Sequence, residues 1–159
     1  MRVIRLRPFV SARPAVMTAA CTGLAILAAA CGGNPGFDER AEASCERAHD
    51  AGRSLSKPSP LEPFGSPERI VYGEKMVSLF ETMLAEMKAL TPPATQSATM
   101  DRFLDTIDKA VDYLRQGIDV AQARDVRKAE RLGVALEANW RSADRFAGEL
   151  NLSECAFLS

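Results

Sequence analysis

The chain has 159 residues, 47 % hydrophobic and 26 % charged, with 20 Lys and Arg against 21 Asp and Glu. That length suits one domain, and the mix excludes collagen-like and low-complexity chains and argues against wholesale disorder. Residues 1–30 hold four of the basic side chains and no acid, which leaves 16 basic and 21 acidic beyond them, a net charge of −5. No nucleic acid partner is expected, because phosphate binding needs clustered positive charge.

Arg2, Arg5, Arg7 and Arg13 make a basic opening, and 16–30 is an uncharged stretch of 15 residues running into Cys31. At ~1.5 Å per residue such a helix reaches about 22 Å, short of the ~30 Å hydrocarbon core of a bilayer. Gly-Gly-Asn-Pro-Gly follows at once, so the pattern predicts a cleaved signal peptide over 1–30 in preference to a retained membrane helix. Small residues at Ala28 and Ala30 before Cys31 resemble the lipobox of bacterial lipoproteins, with Ala28 where Leu is usual. Ordinary secretory cleavage at the same bond is the alternative.

Cleavage there removes Cys21 and leaves Cys31, Cys45 and Cys155, an odd number in an oxidising compartment where a spare thiol is a liability. A lipid on Cys31 makes the count even and leaves Cys45 and Cys155 as the natural disulfide pair. The preferred reading is therefore a protein anchored by lipid at the extracytoplasmic face of the membrane. Stable anchoring takes at least two acyl chains, such as palmitate, because one myristate holds only marginally.

Residues 31–37 have the Gly, Asn and Pro of a tether, and the domain proper is predicted over 38–159. Asp38 is placed to cap a first helix that runs to about residue 53, with Ala41, Cys45, Ala48 and Gly52 facing inward. Pro58, Pro60 and Pro63 forbid helix across 54–66. Ser66-Pro67 then reads as an N-cap with proline at the first helical position. The second helix, 67–90, repeats Ile70, Gly73, Val77, Phe80, Leu84 and Met87 at intervals of three and four, widened by Met76, Met83 and Leu90.

Thr91-Pro92-Pro93 breaks that helix, and a third begins between 93 and 99 with Met100, Phe103, Leu104, Ile107, Val111, Leu114, Ile118 and Ala121 on one side. Asp125 can cap a fourth, whose inward residues are Ala129, Leu132, Gly133, Leu136, Trp140, Ala143, Ala147 and Leu150 and whose end is marked by Asn151. No segment alternates with period two, so the class is all-α. Short links at 91–97 and 122–125 predict an up-down-up-down four-helix bundle. In that topology the first helix begins where the fourth ends, which lets one disulfide between Cys45 and Cys155 close the domain.

A Cys in the first helix, the link Ala89-Leu90-Thr91-Pro92-Pro93-Ala94, two long Ala-rich helices and a closing Leu150-Asn151-Leu152-Ser153-Glu154-Cys155 resemble the small helical lipoproteins and secreted proteins common in actinobacteria. The resemblance covers about residues 31–159. It implies a disulfide-closed helical bundle and supplies no catalytic residues.

His49, the only histidine, follows Cys45 by one helical turn, at a spacing that could hold a metal. Two ligands are too few, and Cys45 is better used as disulfide sulfur, so no metal is expected. One histidine also excludes paired Glu-x-x-His di-iron sites and His-Glu-x-x-His zinc motifs, and Cys-x-x-Cys-His for covalent haem does not occur. Haem held by His49 with Met76, Met83 or Met87 is a remote alternative to methionine as core filler. No nucleophile, base and orienting group fall at spacings that bring them together, so neither catalysis nor a cofactor is expected.

Asp101, Asp105, Asp108, Asp112 and Asp119 form a strip along the third helix, and Arg127, Arg131, Arg141 and Arg145 a comparable one on the fourth. Complementary flanks between the two helices are the expectation. With Cys31 at the membrane, the opposite end carries Leu61, Phe64, Tyr72, Arg124, Arg127 and Lys128, aromatic and cationic residues of the kind found at binding hot spots. The alternative is that Leu61 and Phe64 fold down to cap the core. The expected function is a non-enzymatic cell-envelope lipoprotein offering this end to an envelope-protein or cell-wall partner. Its rival is a carrier, in which the Met-rich second helix and the small residues Ala48, Gly52, Gly73, Gly117 and Gly133 leave a cavity in the core for a lipid or apolar small molecule.

Overall fold

The computed structural model describes residues 36–158. The predicted signal peptide, Cys31 and all but the last two residues of the tether lie outside the described residues. Four helices follow one another, α1 (Phe37–Ser54), α2 (Pro67–Lys88), α3 (Ser97–Gln122) and α4 (Val126–Leu150), and a 3₁₀ turn (Ser153–Cys155) comes last. No strand occurs among the described residues.

Three of the helix boundaries follow from single residues named above. Ser66 accepts a hydrogen bond from the Arg69 amide at 3.3 Å, with Pro67 at the first helical position. Asp125 accepts from the Lys128 amide at 3.0 Å, and Asn151 closes α4 in the left-handed region at φ 59°. The start of α1 differs from expectation. Gly36, at φ 89°, takes the capping position without a side-chain bond, and Asp38 falls in the first turn, where its charge meets the positive end of the helix dipole. Starting earlier lets α1 bury Phe37, which is 1 % exposed.

The helices pack in chain order, α1 on α2, α2 on α3 and α3 on α4, and the backbones of α1 and α4 do not approach each other directly. The 3₁₀ turn touches both. Cys45 and Cys155 form a buried disulfide with a Cα–Cα distance of 5.1 Å, across a sequence separation of 110. Carboxylates reinforce it. Glu42 of α1 accepts from the Ser153 and Glu154 amides, each at 2.7 Å, and from the Ser153 hydroxyl, satisfying donors that a helical turn leaves open at its start. Asp144 of α4 accepts from the Phe157 and Leu158 amides. The closing segment is thus wedged between the first and last helices.

Helix length decides where the core sits. At ~1.5 Å per residue, α1 with 18 residues is about 27 Å long and α3 with 26 is about 39 Å. A Cβ added to Gly52, near the end of α1, would lie 3.9 Å from Leu79, at the middle of α2, so α1 covers only half of its neighbours. Under it Met83, Met87, Met100, Phe103, Ile107, Ala143, Ala147 and Leu150 are buried. Beyond it α4 buries nothing from 126 to 142. Ala129, Leu132, Leu136 and Trp140, expected in the core, are only half-buried, as are Leu114 and Ile118, and Gly133 is exposed. The periodicity correctly marks the inward face of each helix; no fourth helix arrives there to cover it.

The expected charge pairing between α3 and α4 is absent, since no ion pair among the described residues joins those helices. Asp108 pairs with Lys88 of α2, while Arg115 bridges Asp112 and Glu81 of α2. Arg141 and Arg145 pair with Glu137 and Glu149 of their own helix. A partner one turn away on the same helix is already within reach, which costs less side-chain order than a cross-helix pair. The polar link between α3 and α4 is instead Asn139, which donates to the Thr106 carbonyl at 2.8 Å.

Candidate functional site

The backbones of α2 and α4 do not approach each other directly, and although Phe80 and Trp140 meet side chain to side chain, a groove runs between these two helices over α3. It contains two adjoining cavities that share Leu114. The near cavity, about 370 Å³, is an aromatic crevice where the ends of α1 and of the chain meet the middles of α2 and α4. The far cavity, about 270 Å³, is floored by α3 between Ile70 and Gly73 on one side and Leu132 and Leu136 on the other.

The crevice is built around Phe157. Its ring centroid lies 4.7 Å from Trp140, 5.7 Å from Phe80 and 5.6 Å from His49, and Phe80 and Trp140 are 5.0 Å apart, all within the range of favourable aromatic pairs. Tyr72, Met76, Arg53, Lys57 and Leu158 complete the walls. Its polar chemistry is one-sided. Arg53 pairs with Asp50, but Lys57 makes no ion pair, and the Tyr72 hydroxyl, the Trp140 indole N–H and the His49 ring make no hydrogen bond among the described residues. No Asp or Glu lines the space.

At the far end the Pro-rich loop is pinned by Arg69, whose guanidinium donates to the carbonyls of Glu62, Ser59 and Pro60. Gly65 adopts φ 80°, and a Cβ there would stand 2.2 Å from the Ala121 carbonyl oxygen, so only glycine lets the loop press on the end of α3. Phe64 is thereby laid against the far cavity, while Leu61 projects outward, 94 % exposed.

A third cavity, about 560 Å³, follows the outer seam of α1 and α2. Three of its polar groups are used on one another, since Glu86 accepts from Ser44 at 2.7 Å and from Arg47 at 2.6 Å, while Lys75 makes no ion pair among the described residues. The Ser44 hydroxyl and then the Arg47 guanidinium hold the Glu86 carboxyl below its usual range. It reads as a salt-bridged helix seam.

The six residues expected to form one binding patch are divided between places. Phe64 enters the far cavity and its neighbour Gly65 abuts Arg124. Arg124, Arg127 and Lys128 stand exposed around the turn from α3 to α4. Leu61 is the outer tip of the loop, and Tyr72 belongs to the crevice. Cys45 and Cys155 are joined, and Cys31 lies outside the described residues. Sequence reasoning missed Phe157, Leu158, Arg53 and Lys57. The signal for Phe157 was present: it follows Cys155 by two residues, so any fold that closes that disulfide carries it to α1.

Among the described residues no three His, Cys, Asp or Glu side chains group as a metal site requires, and no helix there is long and apolar enough to cross a membrane. Comparison with protein-family models, curated proteins and solved structures finds no match to this chain.

Proposed function

We propose that the chain is a non-enzymatic extracytoplasmic binding module, related to the small helical lipoproteins of actinobacteria, tethered through a lipid on Cys31 after removal of residues 1–30. Its working surface is the groove between α2 and α4. The observation that carries this reading is the groove itself: a short first helix leaves half of an apolar seam uncovered, with Ile70, Leu114, Ile118, Leu132 and Leu136 lining it half-buried. An apolar cleft with a few convergent polar groups is the usual form of a binding site.

An up-down-up-down bundle is supported by the order of packing and by opposed pairings. Lys88 meets Asp108 whereas Glu81, a residue earlier in the chain, meets the later Arg115. A formed disulfide supports an oxidising compartment. On this reading Phe64 contributes to the far cavity, while the exposed Leu61, Arg124, Arg127 and Lys128 stand outside it, on the Pro-rich loop and the turn from α3 to α4, and are offered to an envelope partner.

Two measurements test it. Labelled palmitate is incorporated by the wild-type chain and lost in Cys31→Ala; equal labelling of both ends the anchor. A photo-crosslinking residue at Leu132 or Leu136 forms adducts in intact envelopes, while one at the exposed Asp101 does not. Adducts from neither groove position, or equally from Asp101, refute the groove as the working surface.

A further inference from the structure

We infer that the groove holds a long-chain fatty acid, with its carboxylate at Arg53 and Lys57 and its chain laid past Leu114 into the far cavity. The inference rests on the groove being the binding surface and names its ligand. Its first ground is the unbalanced polar inventory of the crevice. The Lys57 ammonium and the Trp140 N–H are donors only, the Tyr72 hydroxyl is unpartnered, and no carboxylate lines the space to answer them. Asp50 answers Arg53 from outside the lining, whereas Lys57, Tyr72 and Trp140 meet no acceptor among the described residues, so a negatively charged acceptor is what the crevice lacks. The cationic lining is also against the trend of a mature chain with 21 acidic and 16 basic residues.

Shape is the second ground. Cavities of about 370 and 270 Å³ meet at Leu114 and follow the helix axes, together within the ~300–1,000 Å³ of ordinary ligand sites. The charged end is next to α1. At the other end Arg69, the one charged side chain that lines the far cavity, has its guanidinium committed to three loop carbonyls. One charged head and one long apolar body match this polarity.

The test uses Trp140, the only tryptophan in the sequence, which lines the crevice and so reports occupancy by its own fluorescence. The full chain carrying Cys31→Ser, kept free of detergent so that no attached lipid competes, is titrated with a fatty acid brominated at mid-chain. Expected is saturable quenching below the micelle threshold, displaced by palmitate and at least about tenfold more weakly by hexadecanol, which has the same chain and no charge. Arg53→Glu with Lys57→Glu weakens binding by a similar factor. Gly117→Leu gives an independent handle, since Gly117 lines the far cavity and a Cβ there meets nothing within 4 Å. It weakens palmitate at least about tenfold and spares octanoate, which is too short to reach.

No quenching, equal displacement by palmitate and hexadecanol, or palmitate binding unchanged in Gly117→Leu each overturns the fatty-acid assignment. If envelope crosslinks from Leu132 and Leu136 persist in that case, the groove remains a binding surface for some other occupant. If they too are missing, both readings fall together.

Discussion

Removing the disulfide gives the most direct test of how this domain is held together. The bond spans 110 residues of sequence, and on the chain-entropy estimate a loop of that size contributes about 5 kcal/mol by restricting the unfolded chain. That is most of the margin of an ordinary small domain. The folded state itself loses little when the bond opens, because Glu42 and Asp144 still accept five hydrogen bonds from the closing segment and Leu152 stays buried. Nearly all of the effect therefore appears as a gain in unfolded-state freedom. For a domain of this size about 3–5 °C of melting temperature corresponds to 1 kcal/mol, so the fall should be roughly 15–25 °C. Calorimetry is run on the oxidised protein, the same protein with reductant, and the double variant Cys45→Ala with Cys155→Ala; alanine is chosen because both sites are buried and a serine hydroxyl there would lack a partner. A fall of less than about 5 °C in both comparisons would refute the view that the long loop closure is a principal source of stability.

Other consequences follow from the unequal halves of the domain. Leu150→Ala, at a fully buried position of α4, should cost about 3–4 kcal/mol in urea unfolding, and Leu132→Ala, beside the open groove, only about 1 kcal/mol; equal costs would mean that the groove half is as tightly packed as the core. Gly65→Ala should lose about 1–3 kcal/mol, because it meets both a positive φ and the Ala121 carbonyl, and a neutral result would show that the loop does not press on α3. Glu86 sits below its ordinary 4.5 through Ser44 and Arg47, so the folded state favours its ionised form. The stability it adds is present above that ordinary value and lost as pH falls through its lowered folded value. Wild type should exceed Glu86→Gln by no more than about 1 kcal/mol near pH 7, because the pair is half exposed, and the gap should close as acid protonates the carboxylate; a gap of constant size down to full protonation contradicts the assignment.

What local chemistry determines was readable residue by residue. Ser66, Asp125 and Asn151 end or begin helices because each satisfies, or relaxes into, a backbone need within a few residues of itself, and Pro58, Pro60 and Pro63 interrupt helix wherever they stand. The apolar spacing of α2, α3 and α4 depends only on 3.6 residues per turn, so it identified the right faces. Pairing Cys45 with Cys155 was expected from a count that takes Cys21 as removed and Cys31 as lipidated, and the structure joins those two. The start of α1 escaped this logic: Asp38 is the better cap on local grounds, yet burial of Phe37 moved the boundary back to Gly36.

The groove belongs to the tertiary structure. Periodicity says which side of a helix is apolar and is silent on what covers it, and Leu132 and Leu136 carry the same pattern as Leu150 while only Leu150 is buried. The first helix could be seen to be short, but where its 18 residues lie along α2 depends on long-range packing at the disulfide, at Glu42 and at Leu79. The same packing sends Tyr72 to one cavity and Phe64 to the other, though eight positions separate them in the chain, and brings Phe157 between His49 and Trp140. Sequence alone determined the four helices, because those follow from interactions a few residues long. Three dimensions decided which half of the apolar seam stays open, since that is set by the relative positions of whole helices.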